Sequence, residues 1–195
     1  MRVNDLLNLP PDLPIPRDDG ATAHLPGAAI PPIGLPATDG STVRLDGPAA
    51  PRTVVFAYPR TGRPDEEPPG GLEAWNAIPG ARGCTPQACA YRDHYAELQA
   101  LGVRVFGLST QDTAYQLEAV ERLHLPFPIL SDERLELGRA LRLPTFETEG
   151  LTLFKRFTLV IWGGRIEHVF YPVFPSDRDA EQVIAWLRGP GLVQA

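Results

Sequence analysis

Residues 53–58 form an unbroken run of β-branched, aromatic and small apolar side chains, Thr-Val-Val-Phe-Ala-Tyr. Such a run is typical of a strand that is buried on both faces. A similar run covers residues 103–109, and a helical pattern lies between the two. Strands that alternate with helices of this size indicate parallel strands joined by crossover connections. This pattern restricts the chain to the α/β class.

The helical pattern between these strands covers residues 84–101. Apolar residues recur there at spacings of three and four, and Gly102 follows where a C-cap is expected, so we predict one amphipathic helix. Pro86 suits the first turn, where a missing N–H group has no effect on hydrogen bonding. The apolar positions are Ala88, Tyr91, Tyr95, Leu98 and Leu101.

Downstream, helices and strands alternate again before the pattern changes to a hairpin. The predicted elements are a helix at 110–124, a strand at 126–130, a helix at 133–141, strands at 151–161 and 165–173 around Gly163 and Gly164, and a helix at 179–188. Parallel strands followed by an antiparallel hairpin and a packing helix predict a central mixed β-sheet flanked by helices. This is the thioredoxin-like fold.

The N-terminal residues 1–36 contain eight prolines, which are incompatible with a helix or a central strand. We therefore predict an extended proline-rich arm over residues 1–24, followed by one domain over 25–190. Residues 33–35 and 43–45 flank a turn signal and predict a hairpin at the edge of the fold.

A long segment rich in proline and glycine separates the first buried strand from the cysteine-containing helix. Residues 59–82 are predicted to be irregular, with Trp75 and Ile78 as apolar anchors, and residues 62–80 are interpreted as an insert. Structureless segments of this length inside a compact domain are uncommon and usually functional.

Composition excludes several classes of function. The chain has 195 residues, enough for one domain with a substantial core. A net charge of −6 makes nucleic acids and anionic membranes poor partners. No apolar run approaches the ~18 residues of a membrane span, and no signal-peptide pattern is present, so a cytoplasmic location is expected. In that reducing compartment, a cysteine pair is expected to be catalytic, redox-active or metal-binding.

Cys84 stands at the start of the predicted helix. Unpaired N–H groups and the positive end of the helix dipole favour a thiolate over a thiol at this position. The thiolate is the nucleophilic form, so Cys84 is the candidate reactive group.

The run Gly-Cys-Thr-Pro-Gln-Ala-Cys-Ala-Tyr-Arg-Asp at residues 83–93 resembles the active-site helix of the peroxiredoxin family, specifically its peroxiredoxin Q (bacterioferritin comigratory protein) branch. The resemblance extends over roughly residues 25–188. It implies that Cys84 is the peroxidatic cysteine, which reduces hydrogen peroxide and organic hydroperoxides, and that Cys89 resolves it in an intramolecular disulfide. It also implies recycling by thioredoxin or a similar dithiol, without a metal or another cofactor.

The resemblance implies further site residues. Arg156 precedes a threonine-containing strand, as the catalytic arginine does in the family, and its fork of donors suits a thiolate and a peroxide; otherwise it is a surface arginine. In the family a hydroxyl stands three residues before the cysteine, where this chain has Ala81. Pro59 and Thr61 match the start of the same motif, so they are candidate substrate-binding residues, although Thr61 also suits a simple turn cap.

The sequence allows three other interpretations of the two cysteines. Cys84, Cys89 and His94 could be metal ligands, but zinc sites usually have four ligands at tighter spacing. A thiol-disulfide oxidoreductase is disfavoured because the usual C-x-x-C spacing is absent. The third interpretation is a non-enzymatic redox sensor on the same fold, with the long loop as its recognition surface. The sequence does not distinguish a monomer from a homodimer.

Overall fold

The computed structural model describes residues 6–189, in which nine strands and six α-helices are assigned. The strands are β1 Gly34–Pro36, β2 Thr42–Arg44, β3 Thr53–Ala57, β4 Arg104–Ser109, β5 Ile129–Ser131, β6 Thr145–Thr148, β7 Leu151–Phe154, β8 Phe157–Trp162 and β9 Arg165–Phe170. The helices are α1 Gly71–Ala77, α2 Cys84–Asp93, α3 Tyr95–Ala100, α4 Thr113–Leu123, α5 Glu136–Leu141 and α6 Asp179–Leu187, and a 3₁₀ turn spans Ser176–Arg178.

The central sheet has five strands in the order β5-β4-β3-β8-β9. The pairs β3–β4 and β4–β5 are parallel, whereas β3–β8 and β8–β9 are antiparallel. The sheet is therefore mixed, and the thioredoxin-like prediction is confirmed. Two short hairpins, β1–β2 and β6–β7, lie outside it.

Strand β3 organises the core because all five of its residues are buried. Successive side chains of a strand point to opposite faces. Val54 and Phe56 belong to the core on the α2 side of the sheet, and Val55 and Ala57 belong to the core on the other side. The Phe56 ring stacks on Tyr91 of α2, with centroids 4.3 Å apart. This contact fixes the cysteine-containing helix against the centre of the sheet.

The predicted helix over residues 84–101 is two helices. The backbone leaves helical geometry at His94, with φ −97° and ψ 7°, and α3 begins at the next residue. The predicted apolar face is nevertheless confirmed, since all five of its positions pack in or against one core cluster. The two helices also differ in burial: the first six residues of α2 are all buried, whereas Leu98 is the only buried residue of α3.

The segment 59–82 is not wholly irregular, because it contains the seven-residue helix α1. Gly70 and Gly71 both have positive φ angles at its start, a conformation that glycine adopts without strain. The predicted anchors do pack: Trp75 forms a small core cluster with Ala81 and Leu153, and Ile78 lies against it. The helix was not expected because its seven residues are too few for a periodic pattern.

The predicted strand over residues 151–161 is interrupted at Lys155 and Arg156. Its first half pairs with β6 in a hairpin that the sequence did not indicate, and its second half is β8. The break falls on the two adjacent charged residues of this run, and the two halves pair with different strands. The β1–β2 hairpin is paired as predicted, and a bridge between Ala37 and Leu130 places it beside the edge strand β5.

The described part of the arm, residues 6–24, contains no strand and is attached to the domain by side chains. Asp19 accepts hydrogen bonds from Lys155 Nζ at 2.6 Å and from the Tyr171 hydroxyl at 2.7 Å. Residues 1–5 and 190–195 lie outside the described residues. None of the helices between residues 6 and 189 combines the length and the apolar character needed to cross a bilayer.

Candidate active site

Cys84 is the first residue of α2, as predicted, and only 5% of it is exposed. Gly83 before it has a φ of 108°. A Cβ atom at Gly83 would lie 2.2 Å from the Ser176 Oγ atom, so both the backbone conformation and the close approach require glycine. The 3₁₀ turn before α6 therefore packs directly against the start of the cysteine helix.

Arg156 lies next to Cys84, although 72 residues separate them in sequence. Its Nη2 atom is 3.2 Å from the Cys84 Sγ atom and also donates to the carbonyls of Ala81 at 3.2 Å and Arg82 at 3.3 Å. Arg156 is buried, whereas Lys155 is partly exposed and bonds to Asp19. A permanent positive charge at this distance favours negative charge on the sulfur.

A buried hydrogen-bond network holds the other side of Arg156. Its Nη1 atom donates to Gln87 Oε1, and Gln87 Nε2 donates to Asp179 Oδ2 at 2.7 Å. The hydroxyls of Tyr91 and Thr158 donate to the same carboxylate oxygen at 3.0 and 2.7 Å. Burial raises the pKa of the Asp179 carboxyl, and the hydrogen bond from Gln87 opposes this shift. The network connects α6 to the guanidinium that contacts Cys84.

Sequence reasoning missed Gln87 and Asp179. Gln87 had a weak signal, because residues three apart lie on the same face of a helix and Gln87 is three residues after Cys84. Asp179 had no such signal in the sequence, because acidic residues are common in the first turn of a helix.

Cys89 lies on the same helix as Cys84, and both thiols are free. Burial raises the pKa of the Cys89 thiol. On a regular helix, Cα atoms five residues apart are separated by about 8.6 Å, whereas a disulfide tolerates about 7 Å at most. The two cysteines therefore cannot bond while α2 is intact.

A small cavity of about 30 Å³ lies on Cys84. Its walls include Arg60, Arg63 and Glu66 from the segment after β3, and Tyr115 from α4. The insert and a neighbouring helix thus enclose the candidate nucleophile. The cavity is narrow, and the wall formed by the segment after β3 contains charged side chains.

Neither of the predicted substrate-binding residues, Pro59 and Thr61, is among the described residues that line this cavity. The Thr61 amide and hydroxyl donate to the Gln111 side-chain oxygen at 2.9 and 3.1 Å, while the residues on either side of Thr61 line the cavity. Ala81 and Thr85 both line the cavity, and Thr85 follows Cys84 directly. Thr85 is therefore a hydroxyl-bearing candidate that the sequence did not single out.

The described residues contain no group of three or more His, Cys, Asp or Glu side chains placed to hold a metal ion. The Nδ1 atom of His94 instead lies 3.1 Å from the Glu97 carboxylate. The arrangement around Cys84 places a fixed cation in contact with a sulfur nucleophile that borders a small cavity, which suits electrostatically assisted attack by a thiolate.

Comparison with known proteins supports this interpretation. A family model described as Redoxin matches residues 25–184. Chloroplastic peroxiredoxin Q of Gentiana triflora is 30% identical over 107 residues, which are 54% of this chain and 48% of that protein. Chloroplastic peroxiredoxin Q of Oryza sativa subsp. japonica is 47% identical over 51 residues, 26% of this chain and 24% of that protein. The alignments thus span less than half of each of these two relatives.

Among solved structures, peroxidoxin BcpB from Mycobacterium tuberculosis is similar, with a TM-score of 0.67 and 25% identity. The similarity covers 85% of this chain and 97% of that chain. This similarity confirms the predicted fold.

Proposed function

This chain belongs to the redoxin family, in its peroxiredoxin Q branch, and from this we propose that it is a thiol-dependent peroxidase with Cys84 as the peroxidatic residue. The observation that carries the proposal is the 3.2 Å contact between Arg156 Nη2 and Cys84 Sγ at the start of α2. A buried guanidinium at this distance supports the thiolate and the charge that develops on a peroxide.

In the proposed first step, the Cys84 thiolate attacks one oxygen of a hydroperoxide. The S–O bond forms as the O–O bond breaks, the leaving alkoxide or hydroxide takes up a proton, and Cys84 becomes a sulfenic acid. Arg156 is positioned for this step because its Nη2 atom reaches the reacting sulfur. Gln87 and Asp179 act through Arg156 as positioning residues.

In the second step, Cys89 attacks the Cys84 sulfur. The S–S bond forms, the S–O bond breaks, and water leaves. An external dithiol, of the thioredoxin type, then reduces the disulfide by exchange and is itself oxidised. The expected separation of about 8.6 Å between the two Cα atoms requires local unwinding of α2 before this bond forms.

The function is tested with the reduced protein, hydrogen peroxide and a thioredoxin–thioredoxin reductase system, with NADPH consumption as the readout. We expect continuous turnover by the wild type and none by Cys84→Ser. Cys89→Ser should reduce one equivalent of peroxide and then stop. If Cys89→Ser lost the first equivalent while Cys84→Ser retained it, the two roles would be reversed; stoichiometric oxidation without turnover would indicate a redox sensor.

Two hydroxyl groups, those of Thr61 and Thr85, are candidates for contacting the peroxide. We predict that Thr85→Val raises KM for hydrogen peroxide more than Thr61→Val does, because Thr85 borders the cavity whereas the Thr61 hydroxyl donates to Gln111. Steady-state kinetics of the two isosteric variants measure this difference. A larger effect of Thr61→Val would support the contact first predicted for Pro59 and Thr61.

A further inference from the structure

The first part of the insert is attached to α4 through Tyr115. The Tyr115 hydroxyl donates to Glu66 Oε2 at 2.9 Å, and Arg63 Nη1 donates to Glu66 Oε1 at 3.1 Å. The guanidinium carbons of Arg60 and Arg63 lie 4.3 and 4.0 Å from the centre of the Tyr115 ring. One tyrosine therefore contacts three charged residues of the segment that follows β3.

A second attachment lies on the same face of α4. Arg122 Nη2 donates to the Gly62 carbonyl at 2.9 Å, and Arg122 Nε donates to Glu118 at 2.6 Å. Tyr115 and Arg122 are seven residues apart, which places them on one face of the helix. The start of the insert is thus fixed along α4 at two points.

These attachments determine the size of the cavity on Cys84, because Arg60, Arg63, Glu66 and Tyr115 all line it. The cavity volume is about 30 Å³. One water molecule requires roughly 10–15 Å³ of such volume, so the cavity holds about two water-sized groups. Hydrogen peroxide consists of two such groups, whereas an aryl or long alkyl hydroperoxide is several times larger.

We propose that the insert restricts Cys84 to hydrogen peroxide and similarly small hydroperoxides, and that Tyr115 is the residue that keeps the insert closed. This inference rests on the proposed peroxidase function and narrows its substrate class. A bulky hydroperoxide reaches Cys84 only when the segment around Glu66 moves away from α4. Tyr115 is a positioning residue for this selectivity.

The size of the effect follows from the contacts that a substitution removes. Tyr115→Phe removes the hydroxyl bond to the Glu66 carboxylate and keeps the ring between the arginines. Tyr115→Ala removes the ring as well. A hydrogen bond to a charged group corresponds to about a tenfold to hundredfold change in an opening equilibrium, so access of a bulky substrate should increase by about that factor.

The experiment measures single-turnover oxidation of the reduced full-length protein by hydrogen peroxide, ethyl hydroperoxide, tert-butyl hydroperoxide and cumene hydroperoxide. Disulfide formation is followed by intact mass after rapid acid quench. We expect the wild-type rate to fall steadily with substrate size. The ratio of the cumene hydroperoxide rate to the hydrogen peroxide rate should rise about tenfold to hundredfold in Tyr115→Phe and by a larger factor in Tyr115→Ala.

Leu117→Ala is the matched control, because Leu117 is exposed on the same helix and does not line the cavity; it should keep the wild-type ratio. Equal wild-type rates with all four peroxides would overturn the inference and leave the peroxidase function intact. Failure of hydrogen peroxide to oxidise the wild type would overturn both. If Tyr115→Ala does not fold, the wild-type series and Tyr115→Phe still test the inference. An unchanged ratio of the cumene hydroperoxide rate to the hydrogen peroxide rate in Tyr115→Phe would show that Tyr115 does not keep the insert closed.

Discussion

Arg156 is held on two sides. Its Nη2 atom contacts the Cys84 sulfur and two backbone carbonyls, and its Nη1 atom is bound by Gln87. A guanidinium fixed in this way does not have to reorganise when charge develops on a peroxide, and this preorganisation is the usual source of electrostatic catalysis.

We predict that Arg156→Met slows oxidation of Cys84 by hydrogen peroxide by roughly 100- to 1000-fold, because one preorganised charged donor is lost. Stopped-flow measurement of tryptophan fluorescence is the assay, since Trp75 lines the cavity. Lys155→Met is the control: it removes the neighbouring charge, which bonds to Asp19 on the surface, and should have little effect. An unchanged rate in Arg156→Met would leave Arg156 without a catalytic role.

Gln87 connects two buried charged groups, and its replacement should affect both. In Gln87→Leu, Arg156 and Asp179 each lose a hydrogen bond, so we expect slower oxidation, by a smaller factor than in Arg156→Met. The free energy of unfolding should fall by about 1–3 kcal/mol for each partner left unsatisfied. Gln99→Leu, an exposed position on α3, is the matched control. A stability loss with no change in oxidation rate would make Gln87 purely structural.

At the scale of elements, the proposed disulfide requires α2 to adopt a second conformation. In the described structure both cysteines lie on one continuous helix. Its first turns contain Pro86, which contributes no backbone hydrogen bond, and α2 is separated from α3 at His94. The helix can therefore unwind as a unit without disturbing α3, where Leu98 is fully buried in the core.

We predict that disulfide formation removes hydrogen-exchange protection over about residues 82–93 and leaves residues 95–101 little changed, because the two Cα atoms must approach by about 1.6 Å or more. Exchange measured by mass spectrometry on the reduced and oxidised proteins tests this. Peroxide-treated Cys89→Ser, which cannot form the disulfide, should retain protection. Equal protection in both wild-type forms would indicate resolution by a thiol from another molecule.

At the scale of the whole molecule, the proline-rich arm is attached near the site. Asp19 binds Lys155 and Tyr171, and its Oδ1 atom also accepts from the Ala21 amide at 3.2 Å. The hydrogen bonds from Lys155 and Tyr171 lower the pKa of Asp19 to about 2. The division into an arm over residues 1–24 and a domain over 25–190, with an insert at 62–80, stays a prediction.

The lowered pKa of Asp19 predicts how the attachment of the arm depends on pH. The ionised Asp19 stabilises the attached arm above the ordinary carboxyl pKa of 3.8, and this stabilisation is lost as the pH falls towards about 2. At about pH 5, amides of residues 21–25 should exchange more slowly in the wild type than in Asp19→Asn, and the difference should shrink as the pH falls through about 2 and be absent at about pH 1. Comparing the two proteins at each pH cancels intrinsic exchange rates. A difference that persists in acid would mean that Asp19 ionisation does not hold the arm.

The sequence by itself determined the features that depend on neighbouring residues. The unbroken apolar run of β3, the apolar spacing over α2 and α3, and the place of Cys84 at a helix start follow from local periodicity and from helix-terminus chemistry. Each was found where it was predicted. The similarity of residues 83–93 to a known active-site helix also required no tertiary information.

Only the tertiary structure decided which distant residues meet. Arg156 and Cys84 are 72 residues apart, and Gln87 and Asp179 are 92 residues apart. The attachment of Glu66 to Tyr115 likewise joins an insert without periodicity to a helix 49 residues later. Such contacts depend on how the helices and loops pack around the sheet, and no local pattern encodes this. Two adjacent charged residues, Lys155 and Arg156, stand at the break between β7 and β8. Only the pairing of β7 with β6 and of β8 with β3 shows that one strand ends and another begins there.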